Sequence, residues 1–219
     1  MRRIPEPELM NDPTQALAYA EADFVEPNTA FVDGFAACFP QCQPRRVVDL
    51  GCGPGDLTER FAQRYPQCRV SAIDGAEQML LIARQRAREQ GLDGQIDYVC
   101  AHLPSAELPT GADVIISNSL LHHMNDAMDL WRSVKQCSVP GSIVYVADLF
   151  RPQTTEAAQH IVDTYSEGEP EVLRTDFYHS LLAAYRPDEV EAQLREAGLI
   201  GLKVETTSDR HMRISGIVE

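Results

Sequence analysis

The chain has 219 residues, 44% of them hydrophobic, enough to bury one substantial core and to favour a single elaborated domain over two independent ones. No run approaches about 18 consecutive apolar residues, and the opening MRRIPEPELMNDP lacks an apolar signal core, so neither a membrane span nor secretion is expected and a cytoplasmic location follows. A formal net charge of −14, with Arg84, Arg86 and Arg88 sharing a helix with Glu77 and Glu89, disfavours nucleic acid as a partner.

Residues 1–44 read as an N-terminal helical cap with short helices over 14–24 and 28–39. From Arg45 onward, short β-branched runs alternate with helical periods, the sequence form of a βαβ sheet. The strands are expected at 46–50, 69–73, 96–100, 114–117, 143–147, 201–206 and 211–218. A helix begins near Asp56, and the next carries Met79, Ile82, Ala83 and Ala87 at helical spacing before Gly91 closes it. Pro140-Gly141 reads as the turn that launches the fifth strand. Residues 151–185 form an insertion with a helix over 175–184, placed to cover the crevice beyond the strand ends. Pro187 then opens a helix with Val190, Leu194 and Ala197 on one stripe, ending at Gly198. The division is therefore one domain over 1–219: cap 1–44, cofactor-binding half 45–150, insertion or lid 151–185, and a C-terminal helix with a strand pair, 186–219.

The run Val47-Val48-Asp49-Leu50-Gly51-Cys52-Gly53-Pro54-Gly55 is a strand that feeds a tight turn and then a helix. Glycines there let backbone approach a ligand with no Cβ in the way. A dinucleotide fingerprint would put its third glycine where Asp56 stands, and Asp56 opposes a pyrophosphate by bulk and by charge. A P-loop fails because no GK[ST] follows. A nucleoside ligand without phosphate remains, and S-adenosylmethionine, with its ammonium and cationic sulfur, fits. Asp74 lies 23 positions after Gly51, where a carboxylate can accept from both ribose hydroxyls, and Gly75 lets the chain turn beneath the sugar.

In these residues the chain resembles the class I methyltransferase family, whose loop is an acidic residue followed by GxGxG, with a second acidic residue ending the second strand. Asp49, Gly51, Gly53, Gly55 and Asp74 match, and the resemblance runs motif by motif from residue 46 to 148. It implies an α/β fold: a Rossmann-like seven-stranded, mostly parallel sheet with an antiparallel last strand, plus a helical cap. It also implies S-adenosylmethionine as cofactor and S-adenosylhomocysteine as its product, with Cys52 in the loop and Asn118 near the methionine moiety. Where the family places an acidic residue for the adenine amine, this chain has Cys100-Ala101-His102, which leaves adenine to the Ala101 backbone and His102 or to neither. Met79 packs on the adenine or in the core.

Methyl transfer is an in-line displacement that needs alignment and exclusion of water, with a base only where the nucleophile arrives protonated. His122 or His123 is the candidate base. Asp148, after the fifth strand, holds a substrate amine, orients a histidine or caps the insertion. The fourth strand lacks [ND]PP[YFW], which argues against a nucleobase or glutamine amide as acceptor. Arg174 and Tyr178 in the insertion and Tyr19 in the cap are candidate substrate contacts. The six cysteines show no CxxC pair or zinc spacing, so reduced thiols and no metal site are expected. The expected activity is methyl transfer to O, N or S of a small molecule. The alternatives are a catalytically silent binding protein and an NAD-dependent oxidoreductase, which Asp56 opposes.

Overall fold

Near-continuous apolar runs along the central strands decide the architecture. In β1 (Arg46–Leu50), Val47 faces one side of the sheet and Val48 the other, and both are buried. In β4 (Ala112–Asn118), Val114 and Ile116 oppose Ile115, and in β5 (Ser138–Leu149), Tyr145 opposes Val144 and Val146. Strands apolar on both faces must be covered on both faces. The computed structural model, which describes residues 1–6, 11–22 and 24–219, does this with helices on either side.

The seven strands lie in the order β3-β2-β1-β4-β5-β7-β6, with β2 at Arg69–Asp74, β3 at Ile96–Cys100, β6 at Leu202–Thr206 and β7 at His211–Ile217. All neighbours pair in parallel except β7, which runs antiparallel between β5 and β6. The mostly parallel sheet with its antiparallel last strand is as expected.

One face is covered by α2 (Val25–Cys38), α3 (Asp56–Arg64) and α4 (Glu77–Glu89), through Phe31, Phe35, Phe61 and Leu80. On the other face α5 (Ala127–Cys137) and α8 (Pro187–Ala197) bury Leu130, Trp131, Val190 and Leu194. Outside the sheet, α1 (Pro13–Glu21) packs on α4 through Ala16 and Met79. The expected first helix ends at Glu21, short of residue 24, and Asp23 lies outside the described residues.

Two expectations need correction. The insertion is two helices, α6 (Thr155–Tyr165) and α7 (Glu171–Ala183), joined by a small core of Ala158, Val162 and Leu181. Thr154 caps α6 by accepting the Ala157 N–H at 3.2 Å, a start signal of the usual kind. The fifth strand begins at Ser138, ahead of Pro140-Gly141. Gly141, at φ +94°, absorbs the bend, and the Ser142 hydroxyl accepts from Val139 N–H at 2.8 Å while donating to the Ala112 carbonyl at 2.7 Å. The strand therefore continues through the irregularity as a bulge.

Candidate functional site

At the C-terminal end of β1 the chain turns through Gly51–Gly55 into α3. Gly51 and Cys52 both donate their N–H to the Ile73 carbonyl, at 2.8 and 3.0 Å. Gly53 N–H donates to Asp74 Oδ2 at 2.8 Å, and Asp74 Oδ1 accepts from Ala76 N–H at 2.8 Å. One carboxylate at the end of β2 thus pins the middle of the turn and starts α4.

The glycines of the turn serve different ends. A Cβ on Gly55, at φ +86°, would lie 2.9 Å from both the Ala83 methyl and the Tyr98 hydroxyl, so this position is shaped by packing of α3 on α4 and β3. Gly53, at φ +53°, has nothing within 4 Å of where its Cβ would be. Its backbone is bare on that side, the condition for close approach of a ligand.

Asp49 lies beneath the turn, 1% exposed. Its Oδ2 accepts from the Thr58 hydroxyl at 2.5 Å, while Oδ1 is buried without a partner. Burial, countered by Thr58 and reinforced by the nearby Asp74 charge, pushes its carboxyl up to about 7. Burial also raises Asp74 against the pull of the Ala76 and Gly53 amides. Two carboxylates short of counter-charge suit a cation and oppose a phosphate. Asp56 differs: burial works to raise it, but Arg60, Asn28 and Arg86 hold it below its ordinary value, and its charge is paired with the Arg60 and Arg86 guanidiniums at 2.8 and 3.0 Å. A sulfonium carrying an ammonium fits this donor set.

The other expected cofactor residues divide. Ala101 N–H already donates to the Asp74 carbonyl at 2.9 Å, so that amide is not free to read adenine. His102 is exposed. Cys100 Sγ lies 3.8 Å from the Gly75 carbonyl. Met79 is buried with Ala16 and Ala76 beside Tyr19. Cys52 is buried in the core on the α3 and α4 side, and Asn118 ends β4 in register with Ala147.

Beyond β4, Ser119 takes a left-handed φ of +56°, unfavourable for a residue with a Cβ, and the chain winds into a 3₁₀ turn at Leu121–His123. Asp148, at the end of β5 and 1% exposed, accepts from the Leu121 N–H at 2.6 Å and the Leu149 N–H at 2.7 Å, and lies 2.6 Å from His122 Nδ1. An ionised carboxylate only accepts, so Nδ1 carries hydrogen and Nε2 is the nitrogen left uncommitted to Asp148. Burial alone would depress the imidazole, but the charge and hydrogen bond of Asp148 outweigh it and His122 is raised. Of the expected roles for Asp148, orienting a histidine is the one its contacts serve.

His123 Nδ1 lies 3.0 Å from Glu6 Oε2. Burial pushes Glu6 up, and the His123 hydrogen bond and charge bring it below its ordinary value. Arg3 secures the same segment: it donates to the carbonyls of His122 at 2.9 Å, Met124 at 2.8 Å, and Ala183, with its guanidinium 4.0 Å above the Tyr185 ring. Sequence reasoning passes over Arg3 and Glu6 because neither sits in a motif.

Two of the expected substrate contacts are corrected. Arg174 is committed to the Ser166 carbonyl at 2.9 Å and Asp163 at 2.8 Å, clamping α7 to the end of α6. Tyr178 packs with Phe177 against the core of those helices. Tyr19, stacked 4.9 Å from Phe24, is the one beside the crevice: burial, with Asp74 and Asp148 adding to it, pushes its hydroxyl up to about 12. It also lines a cleft of about 310 Å³ between α1 and α7.

Residues 47–141 match the family described as a methyltransferase domain. The ubiquinone biosynthesis O-methyltransferase of Stutzerimonas stutzeri is 29% identical over 185 residues, 80% of this chain and 75% of that protein. The trans-aconitate 2-methyltransferase of Mycolicibacterium gilvum is 43% identical over 88 residues, 40% of this chain, and the match spans only 31% of that protein. In architecture, a SAM-dependent methyltransferase from Aquifex aeolicus superposes with a TM-score of 0.67 at 16% identity, covering 95% of this chain and 99% of that one.

Gly53→Ala should bind S-adenosylhomocysteine at least tenfold more weakly by calorimetry while losing only about 1 kcal/mol of stability to its left-handed backbone. Gly55→Ala, which adds a clash to the same strain, should lose about 2–4 kcal/mol in a denaturant titration. Equal effects of the two substitutions on stability would contradict the distinction. Asp49 carries a pH signature as well. Its folded carboxyl titrates near 7 against about 4 unfolded. The unfolded chain therefore loses this proton first, and the group's stabilisation, present below about pH 4, is lost as pH rises through 7. Asp49→Asn should melt higher than wild type at pH 8 and show no such gain at pH 4; a pH-independent difference would contradict the assignment.

Proposed function

We propose that the chain is a class I S-adenosylmethionine-dependent methyltransferase and that it moves a methyl group from S-adenosylmethionine to an oxygen, nitrogen or sulfur of a small molecule. The observation that carries this reading is the bare backbone at Gly53, held beside the Asp74 carboxylate by its own N–H. Bound there, the cofactor supplies a sulfonium whose methyl is already activated for displacement. The protein's own task is to hold, align and dry.

Asp74 holds the turn through Gly53 and keeps a second lone pair on each oxygen for the ribose hydroxyls. Asp49, buried and bonded to the Thr58 hydroxyl, supports the turn from below, and Asn118 stands at the end of β4, the strand next to β1 in the sheet order. On the acceptor side stand His122, with its ring orientation set by Asp148, and His123. Tyr19 from the cap reaches the same crevice, and the cap with the α6–α7 insertion serves as the cover that excludes water. Alignment of this kind can contribute roughly 7–11 kcal/mol of the barrier.

The oxidoreductase reading is opposed by the side chain of Asp56 at the place of a dinucleotide loop's third glycine and by the Asp74 carboxylate beside the turn, which a pyrophosphate would have to face. Calorimetry separates them: S-adenosylhomocysteine should bind in the micromolar range and NADH should not. Asp74→Ala should weaken that binding by about 2 kcal/mol, roughly thirtyfold, since it removes hydrogen bonds to a charged acceptor. Binding of neither ligand, or an affinity untouched by Asp74→Ala, would overturn the proposal.

A further inference from the structure

We infer that Glu6, His122 and His123 form a binding site for a first-row divalent metal ion. One ligand atom from each of the three lies within 4.8 Å of the other two. Two imidazoles and one carboxylate are the donor set that zinc, iron and nickel take in proteins. The edge between His123 Nδ1 and Glu6 Oε2, a 3.0 Å hydrogen-bonded pair, needs to open only to about 3.4 Å to become that of two atoms each about 2.1 Å from one tetrahedral ion. No spacing rule finds this site, because Glu6 precedes His122 by 116 positions.

A second, independent feature points the same way. A metal-bound histidine almost always donates its other ring N–H to a carboxylate, which fixes its tautomer and orientation. His122 has that partner: Asp148 takes Nδ1 at 2.6 Å and is itself held by the N–H groups of Leu121 and Leu149. Nε2 is thereby presented as the ligand atom. The His122 side chain is 3% exposed, Glu6 11% and His123 28%, so the donor set is sheltered yet open on one side. Two carboxylates, Glu6 and Asp148, stand beside the guanidinium of Arg3, which is occupied by three carbonyls. The imidazole rings lie 4.1 Å apart, side by side on consecutive residues, each with its own carboxylate. A shared ion satisfies both.

Three protein ligands leave at least one coordination position for water or an oxygen of a small molecule. The site lies beyond the C-terminal ends of β4 and β5, where an open α/β sheet receives its ligands. It does not depend on the methyl-donor reading, and its test uses no donor.

The full-length chain, stripped with a chelator, is dialysed against zinc(II) and separately against cobalt(II). One ion per chain should be retained, and the cobalt form should show visible ligand-field bands without a thiolate charge-transfer band. Glu6→Gln and His123→Ala should each lower zinc affinity at least tenfold while keeping a cooperative melt. Substoichiometric uptake, a thiolate band pointing to the cysteines, or uptake unchanged in both variants would overturn the inference. Should His123→Ala fail to melt cooperatively, Glu6→Gln alone decides it.

Discussion

The site rests on one carboxylate doing two jobs at the end of β2. Asp74 accepts from Gly53, in the turn after β1, and from Ala76, at the start of α4. Charge-assisted bonds to backbone N–H are among the stronger ones available to a protein, about 1.5–3 kcal/mol each. Without them the turn would have no polar tie to the neighbouring strand except the Ile73 carbonyl. With them, the bare backbone of Gly53 is held beside a negative charge, and the chemistry of any ligand there is constrained before a contact to it is considered.

Asp148 has the matching role at the end of β5, with β1 and β4 lying between it and β2. It gathers the Leu121 N–H, the Leu149 N–H and His122, so the loops after β4 and β5 are organised from one buried point. In the proposed reaction the two carboxylates separate a donor side under the glycine turn from an acceptor side at the paired histidines. A third acidic group, Asp49, is left half satisfied under the turn. An unpaired buried oxygen is costly, and burial accordingly pushes this carboxyl up to about 7.

Much of this is legible in the chain. Near-continuous apolar runs on β1, β4 and β5 mark strands buried on both faces, and the spacing of Gly51, Gly53, Gly55 and Asp74 marks the turn and its neighbour. Helix signals are accurate for α8, where Pro187 opens and Gly198 closes it in a left-handed conformation. The failures share a cause: they depend on where separate segments meet. Arg174 has the chemistry of a ligand contact, and only the crossing of α6 and α7 gives its fork to Asp163 and Ser166. Pro140-Gly141 has turn chemistry and interrupts the pairing with β4, but the strand reaches back beyond it to Ser138, opposite Ala112, before the register resumes at Ile143. Glu6 and Arg3 lie in a segment without periodicity, and their roles exist only because that segment runs beside the 3₁₀ turn. The Ala101 backbone is a reasonable candidate for adenine by position, but the Asp74 carbonyl takes its N–H.

Hydrogen exchange with and without S-adenosylhomocysteine tests the central claim most directly, because it reads the amides held by Asp74. Bound ligand should slow exchange at Gly53 and Ala76 and along the start of α3, while α6 stays unchanged. Unaltered exchange across residues 51–76 at saturating ligand, or protection confined to α6 and α7, would contradict the assignment of the glycine turn as the cofactor's seat.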